Sequence, residues 1–331
     1  MASTNNMKIH YGSLIGESPS FLRAVNNITI FSSSDATLLL LGETGTGKEL
    51  FARAIHYHGL RNPKPFVPIN CAALPDHLVE NELFGHARGA FTDAHSEQRG
   101  LLAEAQGGTL FLDEVNSLSL SAQAKLLRLL QDKEYRPLGG SMARSADVRV
   151  IAATNSDLLK QVQARSFRQD LYYRLRTLHV HIPPLRQRSE DILLLANHFL
   201  NEYSLQYNRG RTFFSTTALE KLQGHDWPGN VRELQGVVHQ AILMCGSTVV
   251  SDQDIALASN DTAPLILSGA TLRTRKACAI AQFERTYLTE LLSANEGNIS
   301  NAARQAGKER RSFQRLLRKY GLSRASFLKS A

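Results

Sequence analysis

Residues 36–49 read ATLLLLGETGTGKE. The apolar run ATLLLLG (36–42) ends in a glycine-rich turn, and KELFARAIHYH (48–58) then places apolar residues at helical spacing. Strand, glycine turn and helix in that order predict a phosphate-binding loop over GETGTGKE (42–49). The glycines let backbone N–H groups close around phosphate oxygens. The helix N-terminus adds a favourable dipole, and Lys48 adds a point charge. Gly42, Glu43, Thr44, Gly45, Thr46, Gly47, Lys48 and Glu49 are therefore the expected nucleotide-binding residues. Glu49 stands where Ser or Thr ordinarily follows the lysine, so a magnesium ion must draw on other ligands.

Two further apolar runs support this reading. GTLFLDE (108–114) ends in Asp113 and Glu114, a carboxylate pair suited to magnesium binding and to orienting an attacking water. DVRVIAATN (147–155) ends in Thr154 and Asn155, which are placed to sense a γ-phosphate. Apolar strands flanked by helical segments predict an α/β fold, a parallel sheet with helices on both faces and binding residues at the strands' carboxyl ends. From Ser189 to about Ser247 the spacing is all helical, broken only by WPGN (227–230). Residues 251–270 are polar, contain Gly and Pro, and read as a linker.

Composition sets outer bounds. The chain has 331 residues, 43% hydrophobic and 21% charged, which excludes wholesale disorder and allows roughly two domains with a small third. No apolar run approaches the ~18 residues of a membrane span. The start, MASTNNMKIH, lacks the layout of a signal peptide. Cys71, Cys245 and Cys278 are sparse, with no CxxC pair, which disfavours a disulfide framework or a zinc site and fits a reducing cytoplasm. His56, His58, His179 and His181 lack metal-ligand spacing and read as structural or surface residues.

The charge is unevenly spread. Residues 271–331 hold 13 basic and 4 acidic side chains, net +9, against 25 and 26 in the other 270 residues. A basic end on a neutral body suggests nucleic acid as a partner, and the helices read next point to double-stranded DNA. Helical spacing predicts a helix over roughly 276–293, then GNISNAARQAG (297–307) as a helix capped near Asn298 and ended by Gly307. KERRSFQRLLRKYG (308–321) follows as a second helix, packed through Phe313, Leu316, Leu317 and Tyr320. Glu309, Arg310, Ser312 and Arg315 then face a major groove, with Arg310 and Arg315 best placed for guanine edges. Arg311, Arg318 and Lys319 are expected on phosphates.

The motif order is more specific than any single motif. GETGTGKE, PINCAAL (68–74), ELFGHARGAFTDA (82–94), GGTLFLDEV (107–115), ATN (153–155), FRQDLYYRL (167–175) and WPGNVREL (227–234) together resemble the AAA+ ATPase domain of bacterial sigma-54-dependent transcription activators. The resemblance covers about Leu14 to Gly246, and Glu49 is normal for that family. The last 60 residues resemble the Fis-type helix-turn-helix that usually ends such activators. The resemblance implies an AAA+ α/β subdomain (14–185) after a short extension (1–13), a helical lid (186–250), a linker (251–270) and an all-α DNA-binding domain (271–331).

It also implies roles. Lys48 contacts ATP phosphates, Asp113 and Glu114 are the Mg2+ and catalytic-water positions, and Asn70 restrains the catalytic glutamate. Arg168 and Arg174 reach a neighbour's ATP, and Arg232 is a second sensor. Arginine supplied in trans stabilises charge on the transferring phosphoryl group and makes hydrolysis depend on assembly. The loop Gly89, Ala90, Phe91, Thr92, Asp93, Ala94 matches the family's GAFTGA, whose Phe–Thr tip contacts sigma-54. Asp93 stands where glycine is expected.

The implied protein is cytoplasmic. It dimerises on upstream DNA, forms a ring, most simply a hexamer, and opens sigma-54 RNA polymerase complexes. About 13 residues precede the ATPase domain, fewer than in most of the family. That resembles the phage-shock and type III secretion activators, controlled by a separate protein such as an inhibitor, and not a response regulator. A homomeric ring and one mixed with a paralogue both stay open. The rival reading is a sigma-54-independent DNA-binding regulator whose ATPase domain only controls oligomerisation, suggested by the lost tip glycine. A general AAA+ unfoldase is disfavoured by the loop motif and the basic tail.

Overall fold

The structure, a computed structural model, describes residues 14–92, 94–257, 284, 287–288, 291–292, 295, 298–308 and 310–319. They fall into two compact units, divided at Leu257.

In the first unit a Pro19–Ser32 helix (α1) starts on Ser18, whose hydroxyl accepts from Phe21 N–H. Strand β1 (Leu38–Leu41), helix α2 (Lys48–Tyr57), β2 (Phe66–Asn70), α3 (Asp76–Phe84), α4 (Leu101–Glu104) and β3 (Thr109–Asp113) follow. Then come α5 (Leu120–Asp132), the short β4 (Glu134–Tyr135) and β5 (Arg144–Ser145), β6 (Arg149–Thr154), α6 (Leu158–Gln163), α7 (Gln169–Leu175) and β7 (Leu178–His181). The main sheet has order β2-β3-β6-β1-β7 and all its pairings are parallel.

Its two-faced core follows from the strand period of two. Leu39, Leu110, Leu112, Val150 and Ala152 pack on one face with residues of α3, α5 and α7. Leu38, Leu40, Phe111, Ile151 and Ala153 pack on the other with α1 and α2. Every residue of β6 is buried, as expected for a central parallel strand covered on both sides. His56 is one of the polar ties between the layers. Its ring nitrogens meet Thr109 Oγ1 at 2.9 Å and Lys64 O at 3.0 Å, and burial pushes its pKa down.

The lid comprises α8 (Glu190–Gln206), β8 (Phe213–Phe214), α9 (Thr216–Gln223), α10 (Asn230–Met244) and β9 (Val249–Val250). Its core surrounds Trp227, whose indole N–H donates to Leu222 O at 2.9 Å. The expectation of an all-helical segment is corrected here: β8 and β9 form a small parallel pair. Two-residue strands carry too little periodicity to register in a sequence. Ile255 is buried in the lid core and Leu257 packs against it. The rest of the expected linker, 258–270, lies outside the described residues.

In the second unit, helices α11 (Ile299–Gln305) and α12 (Arg310–Lys319) enclose a small core of Leu292, Ala302, Phe313 and Leu317, with Leu316 partly buried. Asn298 Oδ1 caps α11 by accepting from Ser300 and Asn301 N–H, and Gly307 ends it at φ +62°. Most of the expected first helix and Tyr320 lie outside the described residues. No helix among those described is long and apolar enough to cross a membrane.

Candidate functional site

The loop 42–49 sits between the carboxyl end of β1 and the start of α2. Gly47 precedes α2 at φ +97°, and no side chain caps the helix, which leaves its first N–H groups for a ligand. Gly45 has φ +79°, and a Cβ there would stand 2.2 Å from Gly229 O, so only glycine fits.

Lys48 is buried, with 6% of its side chain exposed. Its ammonium donates to Gly42 O at 2.9 Å and Glu43 O at 3.2 Å, and lies 3.9 Å from Glu114 Oε1. Burial lowers its pKa, and the Glu114 and Asp113 carboxylates oppose that shift. Glu49 turns away, pairing with Arg53 at 2.7 Å on the exposed face of α2.

Strand β3 delivers Asp113 beside the loop. Glu114, just past its end, takes the left-handed conformation at φ 52°, unusual for a non-glycine residue. Its Oε2 accepts from Asn155 N–H at 3.3 Å, while Asn155 Nδ2 donates to Thr44 Oγ1 at 2.9 Å. Asn155 therefore bridges the phosphate loop and the glutamate. Thr154 is buried and donates to Asn116 Oδ1 at 2.6 Å.

Asn70 pairs in register with Asp113 across β2 and β3, but its Oδ1 accepts from Ala72 N–H at 2.9 Å. No hydrogen bond joins Asn70 to Glu114 among the described residues. Lys48, Asp113, Glu114, Asn155 and the loop thus converge. Their donor set fits a nucleoside triphosphate, with carboxylates that would suit the divalent cation accompanying it.

Other expected residues lie apart from this cluster. Arg168 is exposed, and its guanidinium meets Asp170 through two bonds of 3.0 and 2.7 Å. That contact holds the Asp170 carboxyl below its usual range. Buried Gln123 accepts the Arg168 backbone N–H at 2.8 Å. Arg174 is exposed and donates to Leu130 O at 3.1 Å. Arg232 is exposed on the first turn of α10, and its charge lowers the Lys48 pKa further.

Phe91 is 46% exposed, its ring edge-on to His86 at 4.9 Å. Thr92 is exposed, Gly89 N–H donates to Ala94 O at 2.8 Å, and Ala90 is half-buried. Asp93 lies outside the described residues. In α12, Arg310, Arg311 and Arg315 are exposed and Ser312 is half-buried. Glu309 and the side chains of Arg318 and Lys319 lie outside the described residues.

The sequence reading missed the lid's direct hold on the loop. Asn230 is fully buried and donates to Thr44 O at 3.0 Å, and Arg186 forms a two-bond pair with Glu43. The only sequence signal was the Asn that follows Pro-Gly at the start of a helix.

Comparisons with known proteins identify the family. The Sigma-54 interaction domain family matches residues 14–181, and the AAA+ ATPase lid domain family matches 186–264. The transcriptional regulatory protein GlrR of Escherichia coli K12 is 44% identical over 317 residues, covering 95% of this chain and 69% of that protein. The regulatory protein AtoC of the same strain is 41% identical over 320 residues, again covering 95% and 69%. The crystal structure of NtrX from Brucella abortus in complex with ATP superposes with a TM-score of 0.70 at 32% identity, covering 93% of this chain and 70% of that one. The chain therefore belongs to the sigma-54-dependent transcriptional regulators, and its core is an AAA+ ATPase.

Proposed function

We propose that this chain binds upstream DNA through its C-terminal helices, assembles into a ring, and spends ATP hydrolysis on converting closed complexes of sigma-54 RNA polymerase into open ones. The observation that carries this reading is a division of labour on one domain. A buried lysine, two carboxylates and Asn155 converge at the loop, while Arg168 and the Phe91–Thr92 tip are exposed.

In this reading backbone N–H groups of residues 44–49 and Lys48 bind the phosphates. Asp113 would hold the Mg2+ that accompanies ATP, and Glu114 orients the attacking water. Asn155, tied to both Thr44 and Glu114, senses the γ-phosphate with Thr154, and Arg232 is the second sensor. Arg168 and Arg174 act on a neighbour's ATP. An exposed pair such as Arg168–Asp170 contributes little stability, so Arg168 exchanges its partner at small cost. Asn70 restrains Glu114 only after its Oδ1 leaves Ala72. Gly89, Ala90, Phe91, Thr92, Asp93 and Ala94 form the sigma-54 contact.

Promoter opening by Phe91→Ala tests this assignment. The variant should hydrolyse ATP near the wild-type rate and yield almost no open complex. Wild-type yield of open complex would remove Phe91 from the contact.

For DNA, α12 presents exposed Arg310 in its first turn, and exposed Arg311 and Arg315 on the side away from the buried Phe313 and Leu317. Glu309, Ser312, Arg318 and Lys319 complete the proposed surface. Arg310→Ala should lose about 1–3 kcal/mol on a specific site and little on random DNA. Equal loss on both, read by titration at fixed salt, would make Arg310 a phosphate contact.

A further inference from the structure

The lid contacts four consecutive residues of the loop read above as the phosphate-binding loop. Arg186 donates to the Glu43 carboxylate at 2.7 and 2.5 Å. Asn230 Nδ2 donates to Thr44 O at 3.0 Å and to Glu43 Oε2 at 3.2 Å. Val231 N–H donates to Gly45 O at 3.0 Å, and Arg188 donates to Thr46 O at 3.4 Å. Gly229 O lies so close that Gly45 admits no side chain.

Asn230 is the centre of this grip. It is fully buried and has φ +54°. Its Oδ1 accepts from Leu185 N–H at 2.7 Å, so one amide joins the lid's entry, the loop backbone and Glu43. The position needs a residue that tolerates the left-handed region and offers both a donor and an acceptor. Asparagine meets both demands; aspartate lacks the donor and glycine lacks the side chain. The Arg186 and Asn230 bonds also hold the Glu43 carboxyl below its usual range.

We propose that Asn230 is a positioning residue that holds loop residues 43–46 in the shape that aims their backbone N–H groups at nucleotide phosphates, so that nucleotide affinity depends on the lid being seated. This rests on reading residues 42–49 as the phosphate-binding loop. Linkage makes the effect reciprocal: phosphates that tighten the loop also tighten the lid.

The test uses the full chain and ADP, which occupies the loop without turnover. Asn230→Asp keeps the acceptor for Leu185 N–H, removes the donor and sets a carboxylate against Glu43. ADP affinity by isothermal titration should fall about tenfold, the loss expected for one or two hydrogen bonds, and the KM for ATP should rise in step while kcat changes less. Adding Glu43→Gln supplies an amide donor for the new carboxylate and should restore part of the affinity, a rescue that a packing role does not produce. Wild-type ADP affinity in Asn230→Asp, with only a lower melting temperature without ligand, would overturn the proposal. If Asn230→Asp does not fold, Glu43→Gln alone should weaken ADP about threefold through the lost Arg186 pair, and unchanged affinity there overturns it. Lys48→Ala is the control. If it binds ADP normally, the phosphate-loop reading fails and the proposal with it; if it alone loses ADP, only the Asn230 proposal fails.

Discussion

Lys48→Ala is expected to abolish nucleotide binding while leaving the fold in place. The ammonium is buried, donates to Gly42 O and Glu43 O, and faces Glu114 at 3.9 Å. In the reading proposed here it is also the charge that phosphates meet. Truncation removes that charge and leaves the Glu114 carboxylate without its cation, so phosphates would approach an uncompensated negative group. Truncating one partner of a buried, hydrogen-bonded charge contact to a ligand costs about 2–5 kcal/mol, roughly thirtyfold or more in affinity. Isothermal titration with ADP measures this, with circular dichroism to check folding. Affinity within a few-fold of wild type would refute the assignment.

Arg168→Ala is expected to do the opposite: to bind nucleotide normally and hydrolyse it poorly. The side chain is exposed, makes no bond to residues 42–49 among those described, and is paired only with Asp170 through its guanidinium. An arginine supplied to the transferring phosphoryl group is worth about 10³–10⁵ in turnover. Mixing separates a trans role from a local one. Lys48→Ala keeps Arg168 but lacks its own nucleotide, so it should lend an arginine to the intact site of Arg168→Ala. Turnover in the mixture should exceed that of either variant alone. No recovery in mixed assemblies, or undiminished turnover of Arg168→Ala by itself, contradicts the trans assignment.

Most of the ATPase core was legible from residues 36–155, because its chemistry sits where periodicity changes. The run LLLL ends at a glycine turn, and Asp113 and Thr154 end runs of buried residues. Strands β2 and β7 were harder to see. β2 is largely exposed or half-buried and contains Pro68, and β7 alternates His179 and His181 with apolar residues. The strand order β2-β3-β6-β1-β7 is a long-range property that local spacing does not carry. The lid's hold on the loop was hidden for the same reason, since Asn230 and Thr44 are 186 residues apart. WPGN reads as a helix break because Pro and Gly interrupt spacing. That the break also places a left-handed asparagine against the loop becomes visible only once the chain is folded. In the second unit the Asn298 cap and the Gly307 stop were legible because both act through local backbone geometry.

Asp93 alters the backbone freedom at the loop tip, since aspartate tolerates positive φ less readily than glycine, but Phe91 and Thr92 remain exposed on the same loop. Sigma-54 engagement is therefore expected to be retained with Asp93 in place of glycine. The most direct measurement is open-complex formation on a promoter melted by sigma-54 RNA polymerase, with the wild-type chain and either ATP or a non-hydrolysable analogue. Open complexes that form with ATP and fail with the analogue are the expected result. Equal opening with both nucleotides, or none with ATP while the chain still hydrolyses it and binds DNA, would contradict the account and favour a regulator that works without remodelling sigma-54.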